Sequence, residues 1–286
     1  MKKFIAFIIF SVSVLLLTGC SSDKMEDITI YTSVYPIEYV TKELYGDYST
    51  IYNMYPQGIN PYKYKFTSKQ IKDYGSSDLV IYDGLGNEKD AIVKMLNKNK
   101  SLKIIDATNR IQITSSEDEI WINPSNILIL ARNIRDGLKE YVSSSLIEKD
   151  IDKNYEQLKI NVSNIDVELK EMGENAPKKT LIVQSNDLLF LSKYSLNILS
   201  LDDSTITDKI YSDVENAIEN DDIKYIYLLD GEEENDSVKK LKEEFENIEV
   251  IYLNPINNIS STDKNDGIDY ITLMNDNIDK IKQELY

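Results

Sequence analysis

Residues 146–172 constrain this chain more than any other stretch. Ile151, Tyr155, Leu158, Val162, Ile165, Leu169 and Met172 follow one another at spacings of 4, 3, 4, 3, 4 and 3. That rhythm lays one continuous apolar stripe along a helix. No proline interrupts the stretch, and Gly173 and Pro177 beyond it act as stop signals. At about 1.5 Å per residue such a helix is roughly 40 Å long, the width of a small domain. Ile160 and Val167 widen the stripe beyond the two positions per heptad of a coiled coil. The pattern therefore predicts a rigid beam lying along a globular body. Similar α/β patterns precede and follow it, so the beam joins two lobes. The space between two lobes is the natural place for a ligand site.

The flanking patterns fill in those lobes. Residues 27–35 alternate in strand fashion and stop at Pro36, and 37–45 follow as a helix. A second strand over 48–55 leads into a loop over 56–67, after which Ser68 can cap a short helix. The apolar run 79–82, the helical segment 87–96 and the strand 102–105 come next. Asn123 starts a helix with Leu128, Leu130, Ala131, Ile134 and Leu138 on its buried side. Beyond the beam, strands over 180–183, 197–201, 223–229 and 249–253 alternate with helices over 187–194, 207–219 and 237–245. A closing helix spans 269–285. Strands alternating with helices predict parallel sheets covered on both faces. The fold class is α/β, two Rossmann-like lobes with parallel sheets joined by one long rigid helix. Residues 28–144 form the first lobe, 145–176 the linking helix and 177–286 the second lobe. The two halves show no close sequence repeat and share architecture only.

The N-terminus supplies an address. Lys2 and Lys3 precede an apolar run from Phe4 to Leu17, too short for a comfortable membrane span, and small Gly19 follows. This is the pattern of a secretory signal. Leu17-Thr18-Gly19-Cys20 resembles the bacterial lipobox, which implies cleavage after residue 19 and a diacylglyceryl thioether on Cys20. Cys20 is the chain's single cysteine. A lone exported cysteine has no intramolecular disulfide partner, so a lipid explains it better than a spare thiol. Residues 20–27 then serve as a lipidated tether, and the protein sits at the extracytoplasmic face of the cell membrane.

Loss of Lys2 and Lys3 with the signal leaves 30 basic residues against 49 acidic ones, a net charge of −19. Such a surface repels phosphate backbones, which argues against nucleic acid as a partner. About 265 residues remain, enough for one large or two modest domains. The chain contains no histidine. That removes the Ser-His-Asp triad, the Cys-His pair and the HExxH zinc helix. Gly84-Leu85-Gly86 lacks the third glycine of a dinucleotide turn, and Asp230-Gly231-Glu232 lacks the EF-hand ligand order. No enzyme chemistry is indicated.

Several blocks then stand in a telling order. YPIEYVTKELYGD is followed by YPQGINPYKYKFTSKQIKDYGSSDLVIYDGLGNE and IWINPSN in the first half. FLSKYSL, Leu253-Asn254-Pro255 and DYITLMNDNIDKI follow in the second. In order and spacing the set resembles the zinc and manganese substrate-binding lipoproteins of ABC importers, the ZnuA-like family. The resemblance implies a divalent metal ion, zinc or manganese, bound at the interlobe cleft. It also implies limited hinge motion, a monomer, and delivery to a membrane permease and its ATPase. Carried over position by position, it points to Tyr62 and Glu119 where the family has histidines. It points to Gln184 where a histidine or glutamate is usual, with Asn186 or Asp187 as alternative alignments. It points to Asp269 where an aspartate precedes the last helix, with Asp266 as the alternative.

Those substitutions change the chemistry. Zinc prefers imidazole and thiolate in a tetrahedron. Tyr62, Glu119, Gln184 and Asp269 are an all-oxygen set, which suits manganese, calcium or magnesium better. Each position also has a plainer role. Tyr62 is one of 20 tyrosines, Glu119 belongs to the acidic run 117–119, Gln184 can cap a helix, and Asp269 can cap the last one. A family member whose histidine-free cleft takes another ligand or none, serving as a surface or adhesion lipoprotein, is the alternative reading.

Overall fold

The computed structural model describes residues 25–57, 59, 61–86, 88–113, 116, 118–220 and 223–286, with only the backbone of Tyr62. The signal segment, Cys20 and most of the tether lie outside the described residues.

Two four-stranded sheets carry the architecture. The first contains β1 (Ile28–Thr32), β2 (Ser49–Asn53), β3 (Leu79–Tyr82) and β4 (Lys103–Asp106), in the order β2-β1-β3-β4. The second contains β5 (Thr180–Val183), β6 (Asn197–Ser200), β7 (Tyr225–Leu229) and β8 (Glu249–Leu253), in the order β6-β5-β7-β8. Every pairing is parallel, with Ile30 opposite both Ile51 and Leu79, and Ile182 opposite both Leu199 and Ile226. Parallel neighbours need crossovers, and helices on both faces bury the strands. Leu79, Val80 and Ile81 are all buried for that reason.

Helix starts follow local capping chemistry. The helix Ser68–Tyr74 begins one residue earlier than a cap at Ser68 would allow. Thr67 is the cap: its side chain accepts the Gln70 N–H, and the Gln70 side chain returns to the Thr67 N–H. The helix Pro124–Tyr141 buries Ile127 with Leu130, Ala131, Ile134 and Leu138, while Leu128 is half-buried. Just before it, Asp118–Ile122 is helical too. Residues 187–194 form a tight 3-10 helix within Asn186–Tyr194.

The beam spans Ser145–Asn175 and is capped by Ser144, whose side chain accepts the Ile147 N–H. The whole predicted stripe is buried, joined by Ile147. Ile160 and Val167 do not widen it, since both face solvent at 53% and 51% exposure. Gly173 is not the stop. A Cβ there would lie 1.8 Å from the Tyr194 carbonyl oxygen, so glycine lets the helix press against that backbone and run on to Asn175.

One continuous core runs from Met25 to Leu285. It contains the beam's stripe, the helices Tyr35–Tyr45 and Tyr270–Leu285, and one face of each sheet. Two smaller clusters cover the outer faces. Met54, Val80, Ile92 and Met95 belong to the first lobe, and Ile182, Val214, Ile226 and Leu241 to the second. The beam is thus the spine of a shared core rather than a rod laid beside it.

Candidate functional site

In open α/β sheets, ligands bind beyond the carboxyl ends of the strands. Here Gln184 follows β5 and Asp230 follows β7, and a seam between the lobes runs past the β5 end. Ser116 of the first lobe crosses it. Its backbone N–H donates to Asp187 Oδ1 at 2.9 Å and its hydroxyl donates to Oδ2 at 2.7 Å. Asp187 is 4% exposed and also accepts from the Ser185 hydroxyl at 2.8 Å. Ser185 in turn caps the 3-10 helix by accepting the Asp187 N–H.

Other bonds extend the seam. Asn257 donates from Nδ2 to Asp118 at 2.9 Å, and its carbonyl accepts the Tyr35 N–H at 3.3 Å. Lys193 donates to Ser125 Oγ at 2.7 Å, and Lys264 pairs with Glu38. The rings of Tyr39 and Tyr270 stack at 5.6 Å. The two walls are therefore in direct contact through protein groups.

Negative charge accumulates where they meet. Glu232 Oε2 accepts the Leu229 N–H at 2.9 Å. Burial pushes the Glu232 carboxyl above its ordinary range, and the charges of Asp187 and Asp118 push it further. Asp118 comes from one lobe, Asp187 and Glu232 from the other. Like charges drawn together in a partly dry seam disfavour ionisation, and a cation there reverses the sign of the interaction. Among the described residues, no three acidic, cysteine or histidine side chains stand together as a ready metal shell.

The residues singled out from sequence are placed as follows. Glu119 is buried on the one-turn helix, next in sequence to Asp118. Gln184 is buried at the end of β5 and holds the loop after β7: its Oε1 accepts the Asn235 N–H at 2.8 Å, and its Nε2 donates to the Glu233 carbonyl at 3.1 Å and faces Glu232 Oε2 at 3.5 Å. Asp269 caps the last helix, its Oδ1 accepting both the N–H and the hydroxyl of Thr272 at 2.8 Å. Its charge is felt by Tyr35, whose hydroxyl is pushed up by burial first and by Asp269 next. Asp269 thus acts on the helix Tyr35–Tyr45, whereas Gln184 reaches Glu232. Tyr62 lies in the 3-10 turn Pro61–Lys63. Ser116, Asn257 and Glu232 were not identifiable from the sequence. Asp118 stood in the acidic run and Asp187 among the alternative alignments, but nothing local announces that Asp187 meets a serine 71 residues away.

Comparison with known proteins bears on the whole chain. The family model for "Zinc-uptake complex component A periplasmic" (ZnuA) matches residues 30–284. The zinc-binding lipoprotein AdcA of Streptococcus pneumoniae is 24% identical over 314 aligned positions, covering 99% of this chain and 61% of AdcA. The manganese ABC transporter substrate-binding lipoprotein PsaA of Streptococcus pneumoniae is 25% identical over 191 positions, covering 60% of each. This chain thus spans about 60% of the length of these relatives. Among solved structures, the Zn(II)-bound ZnuA-like domain of Streptococcus pneumoniae AdcA aligns with TM-score 0.71 at 20% identity, covering 91% of this chain and 99% of that one. The metal-dependent lipoprotein YcdH of Bacillus subtilis aligns with TM-score 0.71 at 18% identity over 91% and 99%. At these identities the structural likeness speaks for the fold.

Proposed function

Because the chain belongs to the ZnuA family of zinc-uptake complex components, we propose that it is the solute-binding component of a zinc/manganese-type ABC importer. Its substrate is a divalent cation, taken at the seam between the lobes and delivered to the permease, whose ATPase drives transport. It changes no covalent bond of its cargo. A lipid on Cys20 holds it, as a monomer, at the extracytoplasmic face of the membrane.

The observation that carries this reading is the family match over residues 30–284, in a chain whose two lobes bring carboxylates to a common seam. The donors are oxygens throughout, which favours manganese over zinc. Glu119 and Tyr62 serve from the first wall, Gln184 and Asp269 from the second. Gln184 and Asp269 then exchange or share their present partners at Asn235 and Thr272. Ser116 and Asp187 are the closing contact, and the cation adds attraction between walls that already touch.

Native mass spectrometry with elemental analysis of the purified chain tests this. One retained divalent ion per chain is expected, with zinc held well below the affinity of a three-histidine site. Glu119→Ala combined with Asp269→Ala should weaken uptake at least 10-fold. A chain that takes up no divalent ion, or whose uptake the double variant leaves unchanged, overturns the site.

A further inference from the structure

Against the acid-rich background, one acid-free, lysine-bearing stretch adjoins a cavity. No aspartate or glutamate occurs between Asp47 and Asp73, while Lys63, Lys65, Lys69 and Lys72 do. On the flank of the first lobe this segment meets the helix Lys89–Lys98 around a cavity of about 400 Å³. Tyr64 and Phe66 form its aromatic wall, and Lys63, Lys65 and Lys94 line it with Asp90. None of the three lysines is ion-paired among the described residues. The wall is held in place before any ligand arrives. Tyr64 and Phe66 pack edge to face at 5.4 Å, Tyr55 packs on both, and the Tyr64 hydroxyl accepts from Gln70 Nε2 at 2.7 Å.

We propose that this cavity is a second binding site, for a small phosphate-bearing sugar or polyol. Three ammonium groups around one small cavity match a phosphate, a concentrated anion that lysine binds as a point charge. Asp90 repels anions but accepts hydrogen bonds from hydroxyls, so the ligand is hydroxylated rather than uniformly anionic. The fixed rings offer apolar area to the carbon face of a sugar or polyol, at little ordering cost. The volume lies at the small end for ligand pockets, about 300–1,000 Å³, and fits a single phosphorylated unit. Lys63 adjoins Tyr62 in the turn Pro61–Lys63, but no cavity residue is itself a proposed donor to the cation, so metal content and phosphate binding are read separately.

Such a unit arises as a free phosphomonoester or as one link of a phosphodiester polymer. Isothermal titration of the full-length chain in detergent separates them, with glucose 6-phosphate, a glycerol phosphodiester oligomer, glucose and inorganic phosphate as probes. Binding of either phosphorylated probe is expected at submillimolar concentration, and whichever binds more tightly identifies the source. Inorganic phosphate should bind at least 10-fold more weakly, and glucose not at all. Lys65→Glu with Lys94→Glu should abolish binding and leave the thermal midpoint and metal content unchanged. Tyr64→Phe, which keeps the ring, should retain it. Equal binding of inorganic phosphate, an unchanged affinity in the lysine double variant, or no binding of either phosphorylated probe overturns the proposal.

Discussion

The lobes meet in two zones of opposite character. Around the beam the contact is apolar: Leu158, Val162, Ile165 and Leu169 are almost wholly buried, and the same core reaches both sheets. At the seam it is polar, made by Ser116–Asp187, Asp118–Asn257 and Lys264–Glu38. The first zone excludes water and has no second arrangement of equal quality, so it fixes the frame. The second exchanges bonds to protein for bonds to water at small net cost per bond. The proposed function calls for both: a joint that does not come apart, and facing walls that do.

The sharpest way to break that contrast is in the apolar zone. Leu169→Ala should cost about 3 kcal/mol, from lost burial plus the cavity left behind. Urea unfolding would show both lobes losing stability in one transition. Two separated transitions would mean that the core is not shared. Gly173→Ala is the converse test. Its Cβ would collide with the Tyr194 carbonyl, and the overpacking should cost about 1–3 kcal/mol.

The polar zone should respond more weakly and more locally. Asp187→Asn removes a charged acceptor shared by Ser116 and Ser185 and should cost about 1–2 kcal/mol. Its distinguishing sign is faster hydrogen exchange at the Ser116 amide, with the beam's amides unchanged. Equal loosening of the beam would erase the distinction between the zones. Asp269→Ala should lose about 1 kcal/mol as an N-cap even without metal. A further loss seen only in the presence of manganese would separate ligation from capping.

The smallest effect is a pH dependence. Glu232 is raised in the folded chain above its ordinary value of 4.5, so the folded state holds a proton that the unfolded state has released. That contribution is fully present below pH 4.5 and is lost as pH climbs through the raised value. Glu232→Gln should flatten the stability profile over that interval and leave it unchanged below. A steeper profile in the variant would show that Asp187 and Asp118 do not crowd this group.

The long helix, the alternation of strands and helices, and the caps at Asn123 and Asp269 were all legible in the sequence. Each rests on interactions within a few residues, such as an apolar stripe repeating every turn or a side chain reaching the N–H three positions on. The same pattern announced two lobes, and family likeness added only an expectation about which positions align with a metal shell. The state of those positions was not legible. Gln184 is engaged with Asn235, 51 residues away, and Asp187 with Ser116, 71 residues away. The first forms because β5 and β7 are neighbours in one sheet, and the second because the two sheets dock through a common core, which decides which polar groups share a seam. Local rules allotted Asp269 to its cap and told Gly173 to end a helix. The first held because a cap needs only its own turn. The second failed because Tyr194, brought in by the fold, left room for nothing larger than hydrogen.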